Sequence, residues 1–150
     1  MSPKIFLSRL SNSSELANTM SSATVKYIGK IHSSLKTIED CPLQENENAP
    51  EATIEIYSEF LEGIKDIKPG SKIILFTWLH EADRTVISCI PRRNYKASKI
   101  GVFSTRSPDR PNPIGMHSVK VISVTNNLLT VSALEVLDQT PLIDIKPDLN

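Results

Sequence analysis

From Ser71 to Ala82 the chain reads SKIILFTWLHEA, an apolar run with almost no polar interruption. A run without alternation predicts a strand covered on both faces, through the middle of a sheet or barrel. Shorter segments around it alternate apolar and polar residues, as strands with one wet face do. ATVKYIGKIHS (Ala23 to Ser33) alternates around Gly29, which marks a bulge or tight bend, and ATIEIY (Ala52 to Tyr57) alternates apolar with acidic residues. RTVISCIP (Arg84 to Pro91), KIGVFST (Lys99 to Thr105), HSVKVISVT (His117 to Thr125) and LLTVSALEVL (Leu128 to Leu137) predict further strands. The last two are joined by Asn126-Asn127, residues that tolerate the positive φ of a tight hairpin. PLIDIKP (Pro141 to Pro147) is the final strand. One segment has helical period instead: Phe60, Leu61, Ile64 and Ile67 follow Ser58, a possible N-cap, and stop before Pro69-Gly70.

Six to eight short strands with one or two short helices predict a mainly β fold, a compact antiparallel barrel or sandwich. CPLQENENAP, bracketed by Pro42 and Pro50, reads as an exposed loop. The N-terminal stretch lacks both an apolar core and a small-residue cleavage site, so it is a poor signal peptide; residues 1–22 read as a flexible tail and 23–150 as one domain. No apolar run reaches the roughly twenty residues of a membrane helix, and a cytoplasmic protein is expected. No G-x-G-x-x-G follows a strand, which argues against a Rossmann cofactor site.

With 150 residues, 39% of them hydrophobic, the chain suffices for one core. Its 17 basic and 17 acidic residues cancel, so no overall field selects a partner. The distribution is uneven: from Glu39 to Glu62 every charge is negative, whereas between Arg84 and Lys120 Asp109 is the only acid among eight lysines and arginines. A basic region of this kind suits a polyanion. Arg92, Arg93, Lys96 and Lys99 are its candidate RNA contacts. Cys41 and Cys89 are far apart with no partners at metal-ligand spacing, which predicts reduced thiols and no metal site. His32, His80 and His117 are scattered and read as ordinary surface or packed histidines, and Trp78 as core.

Two stretches stand out. GVFSTRSPDRPNPIG sets Arg106 and Arg110 among Pro108, Pro111 and Pro113. Prolines hold the loop in a nearly fixed path, so little entropy remains to be lost when a ligand binds. The guanidinium groups suit carboxylate or phosphate, Asn112 adds an amide, and Gly115 permits close backbone approach. In LDQTPLIDIKPDLN, strand alternation puts Leu142, Asp144 and Lys146 on one face, where Asp144 and Lys146 could pair, and Ile143 and Ile145 on the other. Asp138 and Thr140 sit at a turn fixed by Pro141.

Together GVFSTRSPDRPNPIG and LEVLDQTPLIDIKP closely resemble the TsaA-like family, also called YaeB-like or TrmO, with weaker matches at YIGKIHSS and IILFTWLH. Where that family has a Ser-His pair before the apolar strand, this chain has GSKIILF. The resemblance implies a dimerising β-barrel that uses S-adenosylmethionine to methylate N6 of threonylcarbamoylated adenosine beside the tRNA anticodon, with no metal. It implies a donor site near the dimer interface, built from Arg106, Arg110, Pro111, Asn112, Pro113, Gly115, Leu137, Asp138, Thr140 and Lys146. Arg106 or Arg110 would take the donor's carboxylate; backbone around Pro113 to Gly115 and Leu137 to Thr140 would read the adenine. Asp138 or Asp144 would receive the proton from N6. Many members continue into a smaller C-terminal domain that helps hold tRNA, whereas this chain ends at Asn150. A methyltransferase with another acceptor, or a non-catalytic barrel that binds S-adenosylmethionine or RNA, would carry the same features.

Overall fold

The computed structural model describes residues 22–40, 49–91 and 96–150; the expected tail lies almost wholly outside them, as does Cys41. Among the described residues the strands are β1 (Gly29–His32), β2 (Ala52–Ile56), β3 (Lys72–Trp78), β4 (Ser88–Cys89), β5 (Ile100–Gly101), β6 (Ile114–Thr125), β7 (Leu128–Val131) and β8 (Pro141–Pro147). Six of them close into a barrel in the order β1-β2-β7-β6-β3-β8, every pair antiparallel, with β8 returning to β1. β4 and β5 form a separate two-stranded ribbon. The expected antiparallel barrel is therefore the observed fold.

Period-two patterning explains the core. Ile31 of β1, Ile54 of β2, Leu75 of β3, Leu129 of β7 and Leu142 of β8 all face inward and are fully buried. Each such side chain contributes roughly 1.5–3 kcal/mol on burial. β3 has the deepest pairing, with β6 over Lys72 to Trp78 on one side and β8 over Ile73 to Thr77 on the other, which explains its continuous apolar run. Trp78, expected in the core, is half-buried on the outer face.

Several boundaries differ from those expected. β6 begins at Ile114, directly after Pro113, because Gly115 serves the barrel wall and does not turn the chain: the space a Cβ would take there is filled by the Thr77 hydroxyl and the His117 ring. Arg84 to Pro91 and Lys99 to Thr105 form only the short β4 and β5, followed by a 3-10 turn at Val102–Ser104; they pair with each other and not with the barrel. β7 ends at Val131, and Leu134 and Val136 remain buried without strand pairing, Leu134 donating to Pro50 O at 3.0 Å. The helical period after Tyr57 becomes a 3-10 helix, Ser58–Ile64, capped by Tyr57 with no side-chain bond, so Ser58 is not its N-cap. β1 starts at Gly29, where the β2 backbone at Glu55 approaches too closely for any side chain.

In β8 simple alternation fails. Phe76 pairs with Asp144 but its neighbour Thr77 pairs with Leu142, leaving Ile143 as an extra residue in a bulge. Leu142 thus points inward, Asp144 and Lys146 are exposed, and Ile145 packs against the core.

Gly29→Ala forces a Cβ into the β2 backbone, and the ladder between β1 and β2 must open. We expect a destabilisation of about 1–3 kcal/mol, read as a lower urea midpoint with unchanged slope; an unchanged midpoint would contradict the close approach.

Candidate functional site

β3 brings the two unusual stretches to one end of the barrel. Its residue Thr77 pairs with Gly115 at the start of β6 and with Leu142 at the start of β8. Two interstrand spacings, roughly 10 Å, therefore separate the backbone leaving the proline-rich loop from the backbone leaving the Asp-Gln-Thr-Pro turn. The end of β1 joins them: Ile31 N–H donates to Thr140 O at 2.9 Å and Gln139 N–H to Ile31 O at 2.7 Å.

This is also the one polar end of an otherwise apolar interior. Among the described residues the buried polar side chains are Ser33, Thr77, His117 and Thr140, and all lie here. Each has a partner: Ser33 Oγ accepts from Leu35 N–H at 3.1 Å, Thr77 Oγ1 lies 3.0 Å from His117 Nε2, and Thr140 Oγ1 donates to Leu137 O at 2.7 Å. Such satisfaction removes the penalty for burying them. Of the two readings open for His117, surface or packed, the structure shows it packed.

In the loop the two arginines do different things. Arg110 turns back: Nε donates to Ser107 O at 2.8 Å, and Nη2 to Val102 O at 3.1 Å and Thr105 O at 2.5 Å. Its charge is spent holding the 3-10 turn and the proline-rich segment together, a structural role the sequence did not suggest. Arg106 is exposed and has no hydrogen bond or ion pair among the described residues. Asn112 is exposed, and its carbonyl accepts from Ile114 N–H at 2.8 Å; Pro113 is buried, with its carbonyl accepting from Leu79 N–H at 2.8 Å. Pro111 O accepts from Arg84 Nε at 2.8 Å, and the Arg84 guanidinium lies 5.0 Å from the Trp78 ring centre. Asp109 accepts from Asp83 N–H at 2.8 Å. The loop is thereby pinned from three sides.

The facing turn is held as tightly. Gln139 adopts a positive φ of 68°, which reverses the chain between half-buried Leu137 and β8. Asp138 Oδ1 accepts from Ser33 N–H at 2.9 Å and Oδ2 from Lys36 Nζ at 2.8 Å. The Lys36 ammonium foremost, then the Ser33 amide, lower the Asp138 pKa from 3.8 to about 2. A carboxylate held so low is a ligand for cations and a poor proton acceptor. Lys36 and Ser33 were not foreseen as partners, since nothing in their local pattern signals a contact a hundred residues away.

The remaining candidates are dispersed. Asp144 is exposed on the outer face beside Phe76, about 10 Å up β8 from Pro141, and Oδ1 accepts from Ile145 N–H at 2.9 Å. Lys146 is exposed and makes no ion pair with Asp144. Lys96 and Lys99 are exposed near the ribbon, while Arg92 and Arg93 lie outside the described residues. Among the described residues no group of His, Cys, Asp or Glu is arranged to hold a metal ion. An open hollow of about 630 Å³ lies at the opposite barrel end, lined by Leu61, Ile64, Val124 and Asn127 among others, and shares no residue with the site.

Two outcomes follow from this geometry. Arg110→Ala should speed amide exchange of the loop around Ser107 by about tenfold, whereas Arg106→Ala should leave it unchanged; equal effects would contradict the division of labour. Because the folded pKa of Asp138 lies below its ordinary value, its contacts contribute stability above pH 3.8 that is lost as pH falls through about 2. The urea midpoints of wild type and Asp138→Asn should therefore differ most at neutral pH and converge over that window; a gap independent of pH would refute the assignment.

Comparison with known proteins agrees with this architecture. Residues 30–150 match the family model of the tRNA-methyltransferase O N-terminal domain. Curated relatives include a probable S-adenosyl-L-methionine-binding protein of Methanothermobacter thermautotrophicus, 39% identical over 82% of this chain and 88% of that protein. One from Pyrococcus abyssi with the same description is 42% identical over 80% of this chain and 65% of its own length. A crystal structure of TrmO from Pseudomonas aeruginosa superposes with a TM-score of 0.67 at 30% identity, covering 85% of this chain and 56% of that one. The chain thus spans little more than half the length of the solved TrmO chain. On this combination of barrel, proline-rich loop and Asp-Gln-Thr-Pro turn, the chain belongs to the TrmO N-terminal domain family.

Proposed function

We propose that this barrel is an S-adenosylmethionine-dependent tRNA methyltransferase whose acceptor is N6 of threonylcarbamoyladenosine next to the anticodon. The observation that carries the reading is the convergence, at one barrel end, of a rigid loop bearing an exposed guanidinium and a turn bearing a fixed anion. The donor has matching charges: a sulfonium, an ammonium and a carboxylate.

When bound, the donor supplies an activated methyl group for in-line displacement, so the protein's task is mainly alignment. In this reading the backbone at Pro113 to Gly115 and Leu137 to Thr140 frames the adenosine. Pro111 and Asn112 shape the loop edge, and Thr140, tied to Leu137, holds the turn. Asp138, kept anionic by Lys36, attracts the cationic donor; Asp144, on the outer face of β8, would take the N6 proton from an acceptor lying along that face. Lys146 on the same outer face would carry substrate contacts. Lys96 and Lys99, with Arg92 and Arg93 between Pro91 and Lys96, would meet tRNA phosphates, which sets the protein in the cytoplasm with its substrate.

A homodimer belongs to the same reading. Phe103 and Ile87, 80% and 70% exposed, project from the ribbon region, and Ile114 and Met116 are exposed on the outer face of β6. Apolar exposure of this kind is costly in a monomer, and a second copy would cover it beside the site. Sedimentation of the wild type should give a dimer and of Phe103→Glu a monomer; a monomeric wild type would remove the dimer from the account.

The names of the curated relatives favour a second reading, a barrel that binds S-adenosylmethionine without transferring the methyl. Incubation with methyl-labelled donor and total tRNA, followed by nucleoside mass spectrometry, separates the two. Label in N6-methylated threonylcarbamoyladenosine is the expected result, lost in Asp144→Asn with donor affinity retained. Donor binding with no labelled nucleoside would leave the binding barrel standing.

A further inference from the structure

We propose that Lys36 and Asp138 together form the subsite for the amino-acid end of the donor, Lys36 Nζ receiving its carboxylate and Asp138 its ammonium. This rests on the donor-binding reading above and names a residue, Lys36, that the sequence motifs do not include.

An amino-acid zwitterion presents opposite charges side by side, and an ion pair set in the open is its complement. Lys36 Nζ and Asp138 Oδ2 are 2.8 Å apart, with side chains 62% and 22% exposed, so both can be reached by a solute. Their positions are fixed from the backbone. Asp138 N–H donates to Leu35 O at 2.7 Å, and Asp40 Oδ2 accepts from the N–H groups of Lys36 and Thr37 at 3.2 and 3.1 Å. Beneath them Leu35 and Ser33 are buried, anchoring the segment that carries the lysine.

The hydrogen-bond inventory leaves room for a ligand. An ammonium has three donors, and Lys36 uses one on Asp138 and one on Ser33 O at 2.9 Å. A carboxylate has about four acceptor positions, and Asp138 receives Ser33 N–H, Lys36 and the Gln139 side chain. Among the described residues one donor and one acceptor position therefore remain, adjacent and of opposite sign. A zwitterion can join the pair without breaking it, completing a ring of four alternating charges. An exposed pair of this sort adds little to fold stability, which is consistent with a role in recognition. The other candidates for the donor's carboxylate suit it less well: Arg110 is committed to three carbonyls, and Arg106 lies across β3, free for a phosphate of the acceptor.

Titration calorimetry of the full chain with S-adenosylmethionine and with 5′-methylthioadenosine, which keeps the adenosine and sulfur but lacks the amino-acid end, tests this. Lys36→Met should weaken S-adenosylmethionine by about tenfold and 5′-methylthioadenosine by less than about twofold, while Lys36→Arg should keep the former within about threefold. Should Lys36→Met fail to fold by circular dichroism, Lys36→Gln reads the same comparison. Equal losses for both ligands would make Lys36 a structural latch and overturn the proposal. So would no loss for either, or a selective loss in Arg106→Met instead. A wild type that binds neither ligand would refute the donor-binding reading itself, a result distinct from any obtained with the variants.

Discussion

One shared strand organises this molecule. β3 pairs with β6 on one edge and β8 on the other, and its last inward residue, Thr77, has Gly115 and Leu142 as neighbours. Two segments separated by more than twenty residues in sequence are thereby set about 10 Å apart, with no contact between them required. β3 turns Ile73, Leu75 and Thr77 into the barrel, while Ile74, Phe76 and Trp78 are half-buried on its outer face.

Charge at that end is divided between structure and availability. Arg110 spends its guanidinium on backbone carbonyls, so the proline-rich loop is held by hydrogen bonds as well as by restricted φ. Arg106, four residues earlier, has no such bond among the described residues. On the other side Asp138 is fixed by an amide and an ammonium, and keeps its negative charge through the physiological range. Both segments are preorganised, so a ligand bridging them would meet little loss of conformational freedom.

The closed antiparallel barrel was legible in the sequence because strand alternation is a local signal, and PLIDIKP matches β8 residue for residue. Boundaries failed where a tertiary contact overrode that signal. HSVKVISVT set the start of its strand at His117, yet β6 begins at Ile114, and the close approach expected at Gly115 is made by the Thr77 and His117 side chains. Ile143 looked like an alternating strand position, yet it is the extra residue of a bulge. Both arginines of the loop read as ligand donors because a guanidinium bound to its own backbone has the same sequence as a free one. Lys36 was invisible for a related reason, since its partner is Asp138, brought close only when β8 pairs with β1.

The most direct measurement is a two-dimensional amide NMR titration of the protein with S-adenosylhomocysteine, the demethylated donor. The account predicts saturable shifts in both segments at once, residues 106–115 and 138–142, with Lys36 among the perturbed amides and the hollow around Ile64 and Val124 unaffected. Shifts confined to one segment, or centred on the opposite end of the barrel, would contradict a site built across β3.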